Sequence, residues 1–241
     1  MRNSNISLGG RIKDLLFPRH CPVCDDILPF GEQLVCGGCA AKIQYIKPPT
    51  CRKCGKQLYD EGKIYCGDCM RREHVFDYGF ALYDYQSMKK SVYRFKYGHR
   101  GEYARFYARD IYRNLRQEIC AMDADAFIPV PLHRTRQDKR GYNQAELVAR
   151  ELSRLFGVPA RTDIVKRTKK TLPQKQLNAI SRQNNLKKAF NIGSDVVKLN
   201  KTIIIDDIYT TGSTLDAVAS ELKRHGVEKI YFITLCIGEG I

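Results

Sequence analysis

Asp206 and Asp207 stand side by side in "TIIIDDIYTTGST", between an apolar run and a turn built from Thr210, Thr211, Gly212, Ser213 and Thr214. The run reads as a buried strand over 202–206, and "TLDAVASELKRHG" as a helix stopped at Gly226. Thr214 or Ser213 is the expected N-cap. A turn between a strand end and a helix start presents unpaired N–H groups and the positive end of the helix dipole, which suit a phosphate. The hydroxyls add donors, and Gly212 lets the backbone come close. A carboxylate pair would repel the phosphate itself, yet it can accept from two neighbouring hydroxyls. The stretch therefore fits a sugar carrying a phosphate at one end; a plain turn opener is the alternative.

A second chemistry lies near the N-terminus. Eight of the ten cysteines form four C-x-x-C pairs, Cys21/Cys24, Cys36/Cys39, Cys51/Cys54 and Cys66/Cys69, with eleven residues in every gap. Each pair can point two thiolates at one tetrahedral metal, and two pairs complete a four-cysteine zinc site. "CPVCDDIL" matches "CRKCGKQL", and "LVCGGC" matches "IYCGDC", so the knuckle types alternate with a period of thirty. This predicts two consecutive structural zinc ribbons, Cys21, Cys24, Cys36 and Cys39 on one ion and Cys51, Cys54, Cys66 and Cys69 on the other. Interleaved pairing and thiol redox chemistry are the rival readings. Cys120 and Cys236 are expected to be buried, and His74, His99, His133 and His225 belong to no ligand-spaced pair.

The elements that must position these residues follow from periodicity. "VFDYGFALYDYQ" predicts one or two strands. "SMKKSVYRFKYGHRGEYARFYARDIYRNLRQEI" predicts helix broken near Gly98–Gly101, with Ser87 as N-cap. "AFIPVP" and "GVPARTDIV" read as strands, "NQAELVARELSRLF" as an amphipathic helix with Ala145, Val148, Leu152 and Leu155 on one side, and "KIYFITLCI" as a last strand. Residues 168–190 are too polar and basic for a core element and read as an arm. Alternating strands and helices predict an α/β fold with a parallel sheet, residues 76–241, preceded by the zinc ribbons in residues 1–75.

The formal charge is +15, and residues 131–190 hold fifteen Lys/Arg against four Asp/Glu. Such a stripe attracts polyanions; a solvated surface is the alternative. Tyr85, Lys89, Lys90, Tyr93, Arg94, Lys96, Tyr97, His99 and Arg100 mix rings and cations as single-stranded nucleic-acid sites do, although tyrosines at helical spacing read first as packing residues. No apolar run reaches 18 residues and the first twenty lack a secretory pattern, so a cytoplasmic protein with no membrane span is expected.

"IIIDDIYTTGSTL" closely resembles the phosphoribosyl-pyrophosphate (PRPP) signature of type I phosphoribosyltransferases. Together with "IPVPLHRTRQDKRGYNQAELVARELSRLFGVP" and "RTKKTLPQKQLNAISRQNNLKKAFNI", the chain resembles the ComF family over nearly its whole length. The run Arg140–Gln144 is specific to that family, with Tyr142 where Phe is common. The resemblance implies a Rossmann-like phosphoribosyltransferase domain behind a zinc ribbon, and a part in DNA uptake during natural competence. It implies that Asp206 and Asp207 hold the ribose hydroxyls and that Thr210, Thr211, Gly212, Ser213 and Thr214 hold the 5-phosphate. Pro131, Leu132, His133 and Arg134, assisted by Arg140 and Lys139, are then candidates for the pyrophosphate loop, with Mg²⁺ accompanying PRPP. Arg167, Lys169, Lys170 and Gln174 are candidates to close over the leaving group; "RTKKTLPQ" resembles the flexible loop of glutamine PRPP amidotransferases, without their glutaminase domain. Single-stranded DNA and other competence proteins, such as a DNA-translocating helicase, are the implied partners. No residue marks an acceptor, so an active transferase and a DNA-handling protein with a PRPP pocket both remain open.

Overall fold

A computed structural model describes residues 18–31, 33–168, 189–193 and 199–238. Its elements are α1 (Gly37–Ala40), α2 (Gly67–Arg71), β1 (Tyr78–Asp84), α3 (Tyr85–Tyr97), α4 (Tyr103–Met122), β2 (Ala126–Pro129), α5 (Arg134–Arg140), α6 (Gln144–Phe156), β3 (Val165–Arg167), β4 (Phe190–Ile192), β5 (Lys201–Tyr209), α7 (Ser213–Arg224) and β6 (Lys229–Ile237). Strands β1, β6, β5 and β2 lie in that order, all parallel, and β3 pairs antiparallel with β4 outside that sheet.

Both faces of the parallel sheet are covered, as its apolar strands require. Ile203, Ile205, Tyr231, Ile233 and Leu235 pack with α3, α4 and α6. Ile204, Ile230 and Phe232 pack with α7, β3 and β4. The alternation along β5 and β6 is the period of two that sends successive side chains to opposite faces.

Several boundaries differ from the sequence expectation. β5 continues past the carboxylates to Tyr209, because β6 offers partners as far as Ile237. The expected strand in "GVPARTDIV" reduces to a bridge between Ala160 and Phe127, and Val165–Arg167 pairs with β4 instead. Asp84 rather than Ser87 caps α3, accepting from Ser87 N at 3.1 Å. Gly212 occupies the N-cap of α7, with Ser213 the first helical residue. Cys236 is buried in β6, whereas Cys120 is exposed on α4. The helix break at Gly98–Gly101 and the stop at Gly226, with φ +94°, stand as expected. Apart from Thr168, Ala189 and Phe190, the basic arm lies outside the described residues, Lys169, Lys170 and Gln174 included.

The thirty-residue repeat is visible in the backbone. The bridge His20–Ile27 recurs as Thr50–Gln57, α1 recurs as α2, and positive φ at Asp25 (72°) recurs at Gly55 (73°). Leu28 and Leu58 are the buried apolar residue of each copy. The copies dock on opposite sides of the sheet. A Cβ on Gly55 would lie 2.8 Å from Gly79 O and 2.9 Å from Phe80 Cα, so only glycine lets the second ribbon press against β1, where Gly79 N donates to Lys53 O. At the equivalent position of the first ribbon, Asp25 accepts from Arg100 at 2.9 Å and from Tyr103 at 2.5 Å. Burial raises the Asp25 pKa, but Arg100, Tyr103 and Arg94 outweigh it and hold the carboxyl below its ordinary value.

Candidate functional site

The site begins where the sheet is interrupted. β2 stops at Pro129, its last link being Val130 N to Ile205 O at 2.9 Å, while β5 runs on beside β6 alone. Asp206 and Asp207 thus face the loop that leaves β2. Being successive strand residues, they point to opposite faces, Asp206 on the side of Ile204 and Asp207 on the side of Ile205. Lys96 of α3 donates to Asp207 Oδ1 at 2.7 Å, with both side chains largely shielded. Asp206 Oδ1 accepts from Asp207 N at 2.8 Å. Burial, then the Asp207 charge, push the Asp206 carboxyl up to about 7, against the pull of Lys96 and Arg167.

Cations crowd the rest of the opening. Burial and neighbouring Arg136 push the Arg167 guanidinium down to about 10, and burial with Arg140 lowers Arg136. Burial is the larger cause in both, and the crowding of like charges, the lesser one, is what a bound polyanion offsets. Pro131, Leu132 and His133 form the half-buried turn between β2 and α5, with His133 Nδ1 accepting from Thr135 N at 3.3 Å. Arg134 and Lys139 are exposed. Arg140 donates to Gln144 Oε1 at 2.9 Å and to Tyr97 OH at 3.1 Å, its guanidinium 4.8 Å over the Tyr97 ring.

The residues after Arg140 build the frame rather than the opening. Tyr142 OH and Gln144 Nε2 both donate to Phe95 O, at 2.7 and 3.2 Å, satisfying a carbonyl in the last turn of α3. Asn143 donates to Val130 O and caps α6 through Ala145 N. This clamp joins the end of α3, the end of β2 and the start of α6, and so sets the distance between Lys96 and the β2 loop.

In the turn after β5, Gly212 has φ +73° and, among the described residues, no side chain caps α7. Thr211 Oγ1 and Ser213 Oγ lie 2.9 Å apart; Thr210 is exposed and Thr214 half-buried. A Cβ on Gly212 would meet His74 Cε1 and Tyr209 Oη, each at 2.9 Å. His74, five residues past Cys69, is held there by Asp216 Oδ2 at 2.8 Å and by stacking on Phe76 at 4.7 Å, its side chain 1% exposed. Val75 N donates to Asp216 Oδ1 at 2.9 Å. The second ribbon therefore supports the turn from behind. Spacing analysis rejected His74 as a ligand and missed this role, since it depends on a contact 142 residues away in sequence. Arg136 was missed too, one of many cations in a basic stretch, and Lys96 was read only as part of a candidate nucleic-acid surface and not as a partner of Asp207.

The cysteines assemble as the repeat predicts, each set with its sulfurs within 4.8 Å of one another. Cys24 and Cys36 sulfurs are 3.8 Å apart, and those of Cys54 and Cys66 3.7 Å. A tetrahedron with Zn–S bonds of about 2.3 Å needs sulfurs separated by about 3.8 Å, so both sets fit Zn²⁺ with four thiolates and no open position. Among the described residues no helix is long and apolar enough to cross a membrane.

Known proteins bear on both parts. A double zinc ribbon domain model matches residues 12–70, and a phosphoribosyl transferase domain model matches residues 138–239. The chain is 34% identical to Competence protein F of Haemophilus influenzae over 89% of its own length and 95% of that protein's. It is 28% identical to DNA utilization protein YhgH of Salmonella typhimurium, over 92% and 98%, and 28% identical to Competence protein ComFC of Bacillus subtilis, over 81% and 80%. With its paired ribbons, its parallel sheet and this likeness along most of its length, the chain belongs to the ComF family.

Proposed function

We propose that this protein handles single-stranded DNA in competence-type DNA uptake, and that its phosphoribosyltransferase domain binds PRPP with Mg²⁺. Residues 1–75 serve as the ribbon unit and 76–241 as the binding unit. The observation that carries the PRPP reading is the convergence of three groups on one end of the sheet: the Asp206–Asp207 pair, the uncapped turn at Gly212, and the guanidiniums of Arg136, Arg140 and Arg167. The carboxylates accept from the ribose hydroxyls, the turn donates to the 5-phosphate, and the arginines face the pyrophosphate. Mg²⁺ supplies charge neutralisation on the pyrophosphate oxygens. Calorimetry is expected to show Mg²⁺-dependent binding of PRPP tighter than that of ribose 5-phosphate; equal affinities would remove the arginines from the reading.

His74 holds the phosphate turn in place. His74→Ala is expected to weaken PRPP binding about tenfold, the worth of one displaced charge-assisted contact, at unchanged zinc content. Unchanged affinity would make the His74–Asp216 contact purely structural.

The DNA reading has its own support. Tyr93 and Tyr97 are 61% and 51% exposed with ring centroids 5.0 Å apart, and Arg140 lies on Tyr97. Packing was the first sequence reading for these tyrosines; instead they turn outward from α3, beside exposed Lys89 and Lys90. Rings for bases next to cations for phosphates suit single strands. Affinity for oligodeoxythymidine is expected to fall steeply with salt, log K against log[salt] having a slope near −0.7 per phosphate contacted. Tyr97→Ala should weaken binding several-fold, and a flat salt response would exclude this surface.

A further inference from the structure

A cavity of about 740 Å³ opens at the carboxyl end of the sheet on the β1 side. Asp84 and Ile237, the last residues of β1 and β6, line one side of it; the ribbon linker contributes Gln44 and Lys47, and the second ribbon contributes Gln57 and Tyr59. It shares the ligand-binding end of the sheet with the carboxylate pair, but none of its lining residues belongs to the PRPP reading.

The lining has a specific chemistry. Most charges are already spoken for: Lys63 pairs with Asp60 at 3.2 Å, Lys56 with Asp68 at 3.1 Å, and Asp84 accepts from Ser87 N. Lys47 is the one lining cation with no ion-pair partner among the described residues, while Asp84, also without one, is taken up as the N-cap of α3. Gln57 Oε1 accepts from Lys47 N at 3.3 Å, which leaves its amide hydrogens to offer, and the Gln44 carboxamide makes no hydrogen bond among the described residues. Tyr59 is 91% exposed, and its ring stacks on no other ring among the described residues. A carboxamide presents a donor and an acceptor in one plane, a bare ring offers a stacking platform, and a lone ammonium attracts an anion. Pockets of this size lined by apolar groups with a few polar ones take small ligands.

We propose that this cavity takes a nucleobase carrying a phosphate: the ring stacks on Tyr59, its edge meets Gln57 and Gln44, and Lys47 faces the phosphate. A free nucleotide and one unit of a single-stranded DNA share that chemistry. The test uses 2-aminopurine, whose fluorescence falls on stacking, as the ribonucleoside monophosphate and within an oligodeoxythymidine. Quenching is expected in at least one arm, and the arm identifies the source. Tyr59→Leu, at a position exposed enough to leave the fold intact, should weaken it about tenfold. Gln57→Ala should weaken it several-fold. Calorimetric PRPP binding should be unchanged in Tyr59→Leu, and quenching should persist in Asp206→Asn/Asp207→Asn, so the two readings fail separately. No quenching in either arm, quenching unaltered in both variants, or complete competition by ribose 5-phosphate overturns the proposal.

Discussion

Asp206→Asn/Asp207→Asn is expected to abolish PRPP binding while leaving a folded, zinc-loaded protein. Hydrogen bonds to a charged acceptor are worth about 1.5–3 kcal/mol each, so at a pH above the Asp206 value of about 7, losing two ionised acceptors should raise Kd roughly 10²–10⁴-fold. Calorimetry reads the loss, and an unchanged Kd would move the ribose elsewhere. The same position carries a stability consequence. The Asp206 carboxyl sits at about 7 in the folded chain, against about 4 when unfolded. Between those values the folded state holds a proton that the unfolded state has released. Stability is therefore greatest below about pH 4, falls as pH rises toward 7, and stays low above it. Asp206→Asn alone removes that penalty, so its melting temperature should exceed the wild type's at pH 8 by clearly more than at pH 4.5. Equal melting at both would show that the carboxylate is not held against its preference.

Loss of the second zinc site should damage the whole fold, whereas loss of the first should be milder. Cys51, Cys54 and Cys66 are 2%, 0% and 6% exposed and pack in the same cluster as Ile204, Phe232 and Leu215. Cys21, Leu28 and Cys39 instead form a small cluster of their own, tied to α4 through Asp25. Chelation should release about two zinc ions per chain. Cys51→Ser is expected to cost about 4 kcal/mol or more, a drop of roughly 8–16 °C for a chain of this size, and to weaken PRPP binding through His74. Cys21→Ser should cost less and spare PRPP. Equal effects of the two substitutions would contradict the asymmetric packing.

The ligand types and their grouping were legible because each rests on local spacing: C-x-x-C pairs at fixed intervals, a strand running into Asp206–Asp207, a hydroxyl turn before a helix. The fold class followed from strand–helix alternation. What escaped was set by contacts between distant segments. The length of β5 was decided by β6, the weak strand at 157–165 by a pairing with the β2 edge limited to one bridge at Phe127 before the chain turns to β4, and Cys120 by which side of α4 met the sheet. Tyr93 and Tyr97 share helical spacing with buried residues; only the position of α3 against β1 and β6 decided that they face outward. His74 could not be found at all from its neighbours in sequence.

The ribbon segments also finish one border of the sheet, that of β1, while residues 159–161 cover the other, that of β2. Along β1, Ile46 N donates to Leu82 O and Gly79 N to Lys53 O; along β2, Phe127 N donates to Pro159 O and Arg161 N to Phe127 O. An uncovered border strand is a template for pairing with another chain. The segments that cover β1 precede it in the sequence, so they leave the ribosome before the strand they shield. In a cell short of zinc, newly made chains would emerge with that border bare, and metal supply would govern self-association as well as ligand binding.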